Sequence, residues 1–136
     1  METNNSIQEA KRYLVNAKEI LSQKAGKEGN YYGDAKYVRM AGDTAWKGVL
    51  IALDSVFHVK KTPRHRVSID DYKTAVAKIN RQVLTMVNDG YQVLHISMGY
   101  DGIKNYKVCQ AGMEGAKRII DWCEKNTKGG CLKSRF

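Results

Sequence analysis

A run of basic residues between two predicted helices is the part of this sequence best suited to binding chemistry. The run contains Lys60, Lys61, Arg64, His65 and Arg66, and no acidic residue interrupts it. Lysine and arginine contact phosphate groups mainly through charge, so such a patch binds anions in a salt-dependent way with little base specificity. A second basic group lies near the C-terminus and can extend the patch: Lys128, Lys133 and Arg135. The alternative is that both segments are simply solvated.

The histidines and cysteines lack the spacing of a metal site. His58, His65 and His95 form no His-x-x-x-His or Glu-x-x-His pattern, and no Cys-x-x-Cys pair occurs. Cys109 and Cys123 fall on the apolar face of one predicted helix, about 21 Å apart, and we expect both to be core residues. We therefore predict no metal ion and no cofactor.

No motif in the sequence predicts a catalytic site. A Gly-rich phosphate loop and a Gly-x-Ser-x-Gly elbow are both missing from the sequence. Asp43 has basic residues four positions before and after it, which predicts an ion-pair ladder with Arg39 and Lys47. A weaker hypothesis joins His95 and Asp89 in residual hydrolysis. The sequence favours a protein that is not an enzyme.

The sequence also predicts a pair of interacting side chains at the end of the second predicted helix. His58 lies four residues after Asp54, so the two side chains are expected to pair there, where a cation also suits the helix dipole. This role is structural.

The composition is typical of one folded basic domain. The chain has 136 residues, of which 43% are apolar and 27% charged, with a single proline. Its formal charge of +9 favours anionic partners such as nucleic acid or nucleotide phosphates. We predict one helical domain over residues 1–126 and a flexible basic tail over 127–136.

Three further features predict a cytoplasmic protein without a membrane span. The number of cysteines is odd, at three, and the first ten residues lack the charged start and apolar run of a signal peptide. The longest apolar stretch, Val49 to Leu53, is far too short to cross a bilayer.

Apolar residues that recur every three or four positions predict four main helices. The first starts at Ile7, behind a capping box of Ser6 and Glu9, and stops at Gly26, where a loop to Gly33 begins. The second is central, runs from Ala35 to about His58 and is capped by Asp34. In it, Ala41, Ala45, Gly48 and Ala52 predict close approach of a neighbouring helix.

The third helix starts after Ser68 and ends where Asn88, Asp89 and Gly90 break the pattern. Residues 91–98 suit either a strand or a short helix, and we favour the helix because a lone strand would lack a partner. The last helix runs from Ile103 to about Asn126. The sequence thus predicts an all-α, up-and-down bundle of four to five helices.

The stretch Tyr37–Leu53, with the loop that carries Pro63 and His65 after it, resembles HEPN-like helical bundles. The resemblance implies a module that binds RNA, a nucleotide or a nucleotidyltransferase-type partner. In catalytic members four to six residues separate an arginine from the histidine that follows it, whereas Asn88, Asp89 and Gly90 stand at the corresponding positions before His95. The resemblance therefore implies a non-catalytic member, and the chain is also similar to small bacterial helical proteins of unassigned function.

The alternative to this function is a protein-interaction or structural module with no role in nucleic-acid binding. In that case an apolar helix face left over from the bundle pairs with a second copy of the chain, and the protein is a homodimer.

Overall fold

The computed structural model describes residues 2–58 and 68–127, and helices dominate both parts. Helix α1 spans Glu2–Ile20 and continues as a first π-helical segment, Leu21–Ala25; a hairpin of β1 (Lys27–Glu28) and β2 (Tyr31–Tyr32) follows. The remaining helices are α2 (Ala35–Phe57), α3 (Ile69–Ala77), α4 (Arg81–Gly90) with a second π-helical segment (Tyr91–Tyr100), and α5 (Tyr106–Thr127). The predicted all-α helical bundle is confirmed.

Helix α1 presents its predicted apolar face to the core but begins earlier than predicted. Ile7, Ala10 and Leu14 are buried on that face. The predicted start at Ile7 is wrong, because the helix already runs from Glu2 and the Glu9 carboxylate bonds the Arg12 guanidinium at 3.1 Å. The predicted stop is confirmed: Gly26 has a φ of +68°, which glycine adopts without strain.

Helix α2 is the centre of the bundle and has the bounds that the sequence predicts. Asp34 caps it by accepting a hydrogen bond from the Lys36 amide at 2.9 Å. The helix ends at His58, a left-handed residue whose backbone N–H donates to the Asp54 carbonyl. Buried residues lie on several faces of α2, so neighbouring elements pack against it from more than one side.

The glycines of α2 bring two neighbours into backbone contact. A Cβ at Gly48 would lie 2.9 Å from the Ala10 carbonyl oxygen of α1, and one at Gly42 would lie 2.5 Å from the Leu94 carbonyl oxygen of the second π-helical segment. The predicted close approach is thus confirmed, and two neighbouring elements use it.

The predicted third helix is two helices, α3 and α4. The Asn80 side chain accepts hydrogen bonds from the amides of Gln82 and Val83, which starts a new helix inside an unbroken apolar period. Helix α4 ends at Gly90, within the predicted break at Asn88–Gly90, but no loop follows it. Gly90 is buried, a Cβ there would lie 3.3 Å from Ile119 of α5, and the chain continues directly into the second π-helical segment.

The predicted helix over 91–98 is confirmed as part of the second π-helical segment. The predicted loop at 26–33 instead contains the β1–β2 hairpin, in which Lys27 pairs with Tyr32. Helix α5 starts at Tyr106, three residues after the predicted start, because the Asn105 side chain accepts the Val108 amide at 3.0 Å. Over the described residues, no helix is both long and apolar enough to span a bilayer.

Candidate functional site

The five residues predicted to bind anions lie outside the described part of the chain: Lys60, Lys61, Arg64, His65 and Arg66. The same holds for the predicted basic tail beyond Thr127. Together, segments 59–67 and 128–136 contain seven of the 23 basic residues and none of the 14 acidic residues. The bundle itself is therefore close to neutral, and the charge excess is concentrated in these two segments.

An aromatic stack joins the ends of α2 and α5, from which the two basic segments depart. The Phe57 and Trp122 rings lie 6.1 Å apart with an interplanar angle of 11°. Phe57 is the last residue of α2, and Trp122 lies about 7.5 Å before the end of α5 along the helix axis. The described residues that precede segments 59–67 and 128–136 thus lie at the same end of the bundle.

The two residues that border segment 59–67 are both held by hydrogen bonds. His58 donates its backbone N–H to the Asp54 carbonyl at 2.9 Å. Ser68 donates its backbone N–H to the Asp71 carboxylate at 2.7 Å, as one half of a capping box. The predicted cap of this helix is confirmed, and segment 59–67 starts and ends on ordered helix termini.

The Asp54 carboxylate at this end interacts with a tyrosine. The Tyr72 hydroxyl donates to it at 3.5 Å, and the contact that links Asp54 with His58 is the backbone hydrogen bond rather than the predicted side-chain pair. Burial, followed by the charge of Asp54, raises the pKa of Tyr72 to about 12. Tyr72 therefore stays a neutral hydrogen-bond donor that ties α3 to α2.

Two lysines, one on α1 and one just after α3, contribute to this end of the bundle. Lys11 of α1 bonds the Glu124 carboxylate of α5 at 2.7 Å, which fastens α1 to the same end of α5. Lys78 lines a small cavity of about 210 Å³ together with Phe57 and Ile79. This end of the bundle is built from α1, α2, α3 and α5.

A second group of polar side chains lies between α2 and the second π-helical segment. The His95 Nδ1 atom is 3.8 Å from the Asp43 carboxylate, and the His95 ring lies 5.3 Å from the Tyr91 ring and 6.3 Å from the Trp46 ring. That nitrogen is buried and has no hydrogen-bond partner among the described residues. His95 is the side chain that the structure brings to Asp43, in place of the predicted ladder with Arg39 and Lys47.

The structure separates His95 from Asp89, which the sequence joined in a hydrolytic hypothesis. Asp89 lines a groove of about 620 Å³ between α4 and α5, along with Gly112 and Arg118. His95 faces α2 instead. The pairing with Asp43 carried one sequence signal: Gly42 stands next to Asp43 inside a predicted helix, and the structure shows that the backbone of the second π-helical segment approaches closely there.

The cysteines of α5 are core residues, as predicted. Cys109 and Cys123 are fully buried, and burial raises the pKa of Cys109 to about 11 and that of Cys123 further still. Such thiols remain protonated and unreactive at neutral pH. Within residues 2–58 and 68–127, no three His, Cys, Asp or Glu side chains lie close enough to share a metal ion.

Comparisons with known proteins give a family and a structural relative. A solved protein of unknown function from Dyadobacter fermentans is similar to this chain, with 41% identity and a TM-score of 0.84 over 93% of this chain and 98% of that one. No curated protein matches. Neither finding names a HEPN-like bundle. Residues 5–125 match the family described as "Domain of unknown function (DUF5618)", and the chain belongs to that family.

Proposed function

We propose that this chain is a non-catalytic, HEPN-like helical module that binds RNA through the basic residues of segments 59–67 and 128–136. The stack of Phe57 on Trp122 is the observation that carries the proposal. It brings together the two helix ends that precede these segments, which contain seven basic residues and no acidic residue. Concentrated positive charge of this kind attracts a phosphate backbone.

The surroundings of His95 and the residues before it also support a binding role over a catalytic one. The described residues give His95 an acidic neighbour but no hydrogen-bond partner at Nδ1, and the arginine of catalytic HEPN-like members is missing at positions 88–90. The resemblance in α2 adds a nucleotide or a nucleotidyltransferase-type protein as other partners of the same basic segments.

The proposal includes a cytoplasmic location, which the buried free thiols of Cys109 and Cys123 support.

A fluorescence-anisotropy titration with a short labelled RNA of mixed sequence tests this function. If four basic residues of segment 59–67 contact phosphates, affinity falls roughly fiftyfold between about 50 and 200 mM salt. A variant with Lys60, Lys61, Arg64 and Arg66 changed to alanine is expected to lose most of this salt dependence.

A matched control separates a local patch from net charge. The control changes four exposed lysines of the first π-helical segment, α2 and α5 to alanine, which lowers the net charge by the same amount: Lys24, Lys36, Lys47 and Lys107. The control variant is expected to keep most of the affinity. No binding of RNA or ATP at low salt by the unmodified protein would remove the nucleic-acid and nucleotide versions of the proposal.

The second candidate is a homodimer with no role in nucleic-acid binding, and exposed apolar side chains favour it. Tyr100 is 79% exposed and Met40 is 43% exposed. Single exposed apolar residues are common on monomers, which is why this candidate ranks second. Light scattering decides it: a monodisperse monomer at high concentration excludes the homodimer, whereas a dimer that the change Tyr100→Ser dissociates establishes it.

A further inference from the structure

The end of the bundle opposite the basic segments contains a half-open cavity of about 570 Å³. It lies between α1 and α5, and the first π-helical segment and the hairpin form its rim. Tyr106 begins α5 whereas Thr127 ends it, so the cavity is roughly 30 Å along the helix axis from the start of segment 128–136. Its volume falls within the range of small-molecule sites in proteins.

The walls of this cavity are apolar and aromatic. The Tyr32 and Tyr106 rings lie 5.5 Å apart at 45° to each other, and the buried side chains of Leu21 and Met113 complete the inner wall. Val15, on the α1 side, is 53% exposed. A flat apolar molecule in the cavity would cover this valine and contact the edges of both tyrosines.

Hydrogen-bond donors converge on the same cavity. The Gln110 amide donates to the Tyr32 oxygen at 2.9 Å, which leaves the phenolic proton of Tyr32 free to donate to a ligand. Burial raises the pKa of Tyr32, so its hydroxyl remains protonated at neutral pH. Lys18 and Lys27 also line the cavity. These three donors select an anionic group.

The net charge of the side chains that line the cavity favours a ligand with one negative charge. Glu19 lines the cavity beside Lys18 and Lys27, so the three side chains sum to a single positive charge. Lys27 is exposed, and its ammonium lies 3.8 Å from the centroid of the Tyr106 ring, which holds the charge beside the apolar wall. A carboxylate fits this balance better than a doubly charged phosphate.

Backbone hydrogen bonds hold the cavity in shape without a ligand. The Tyr32 amide donates to the Lys104 carbonyl at 2.8 Å, and the Tyr106 amide donates to the Asn30 carbonyl at 2.8 Å. The hairpin is thus fixed to the start of α5. A rigid site of this kind loses little conformational entropy when a ligand binds.

We propose that this cavity binds a small aromatic carboxylate, with the ring between Val15 and the two tyrosines and the carboxylate at Lys18, Lys27 and the Tyr32 hydroxyl. The site is independent of the RNA-binding proposal, because it lies at the other end of the bundle and uses none of the residues of segments 59–67 and 128–136.

Titration with cinnamate and with its neutral amide, cinnamamide, tests the proposal by heteronuclear NMR. Cinnamate is expected to shift the amide signals of Ser22, Lys27, Tyr32 and Gln110, and to bind about fivefold more tightly than cinnamamide, as a partly screened ion pair would give. Equal binding of the two probes, shifts confined to other surfaces, or no shifts at millimolar cinnamate would each overturn it.

Two lysine pairs provide a matched comparison. Lys18→Ala with Lys27→Ala is expected to remove the preference for cinnamate over cinnamamide. The control pair, Lys24→Ala with Lys36→Ala, removes the same charge from two lysines that lie over the Tyr37 ring, outside the cavity. Equal loss in both pairs would show that net charge alone attracts the probe. Ser22→Trp, at an exposed residue of the rim, is expected to block cinnamate while the far-ultraviolet spectrum stays helical.

Discussion

Helix α2 contacts two neighbouring elements closely, each at a glycine, and the residues around the two contacts differ. At Gly48 the neighbour is α1, and the contact joins two α-helices across apolar side chains such as Ala10. At Gly42 the neighbour is the second π-helical segment, and the polar residues Asp43 and His95 meet beside it. The same small-residue pattern thus packs a core in one place and brings polar groups together in the other.

The two contacts also differ in how much space there is for a side chain at the glycine. At Gly42 the nearest atoms to an added Cβ are the Leu94 carbonyl oxygen at 2.5 Å, the Met98 Cβ at 2.6 Å and the Gly99 amide nitrogen at 2.9 Å. At Gly48 they are the Ala10 carbonyl oxygen at 2.9 Å and the Tyr13 Cβ at 3.1 Å. The contact with the second π-helical segment is therefore the tighter and less forgiving of the two.

Gly42→Ala is expected to have the largest effect on stability. The new methyl group would overlap with two backbone atoms and with the Met98 Cβ, and none of the three is the far end of a flexible side chain. We expect the free energy of unfolding to fall by about 3 kcal/mol, near the upper part of the range for overpacked cores. Urea unfolding followed by circular dichroism measures it. A loss under ~1 kcal/mol would mean that the second π-helical segment shifts easily.

Gly48→Ala is expected to cost less, about 1 kcal/mol. Its methyl group overlaps less with α1, and alanine recovers part of the cost because it favours helix over glycine by roughly 1 kcal/mol. The same urea experiment applies. If Gly48→Ala proved as costly as Gly42→Ala, the two contacts would be equally rigid and the comparison would fail.

Gly115→Ala is the control for helix propensity, with a smaller effect of opposite sign. Nothing lies within 4 Å of an added Cβ at this position of α5. Alanine is expected to raise the free energy of unfolding by about 0.7 kcal/mol, through propensity alone. A destabilised Gly115→Ala protein would show that the groove beside Asp89 is narrower in solution.

Much of the fold could be predicted from the sequence, because one-sided apolar periodicity specifies which helix faces are buried. The core faces of α1, α2 and α5 follow from this periodicity. The caps at Asp34 and Ser68 follow from the residue types that stand just before each helix. The start of a new helix at Asn80 and the direct continuation of the helical chain past Gly90 could not be predicted. There, one side-chain cap overrides a continuous apolar pattern, and burial of a glycine against Ile119 overrides a turn signal. Both effects depend on contacts that exist only in the folded protein.

The polar pair could be predicted only in part. Asp43 and His95 both stand out in the sequence, yet local spacing paired Asp43 with Arg39 and Lys47, and paired His95 with Asp89. The observed pair is 52 positions apart in the sequence. It forms because Gly42 lets α2 approach the second π-helical segment, and periodicity alone does not reveal which helices become neighbours.

A double-mutant cycle on Asp43 and His95 gives the smallest expected effect and tests the polar side of the comparison directly. Both side chains are about half exposed, and the closest nitrogen–oxygen distance of 3.8 Å is longer than a hydrogen bond. The changes Asp43→Asn and His95→Gln, made singly and together, are therefore expected to show a coupling free energy of about 0.5 kcal/mol. Because the His95 Nδ1 atom is buried without a hydrogen bond, His95→Phe is expected to leave stability nearly unchanged. A coupling above ~1.5 kcal/mol would mean that the pair closes into a charged hydrogen bond in solution, and the contact at Gly42 would then stabilise the fold through its polar groups as well as through packing.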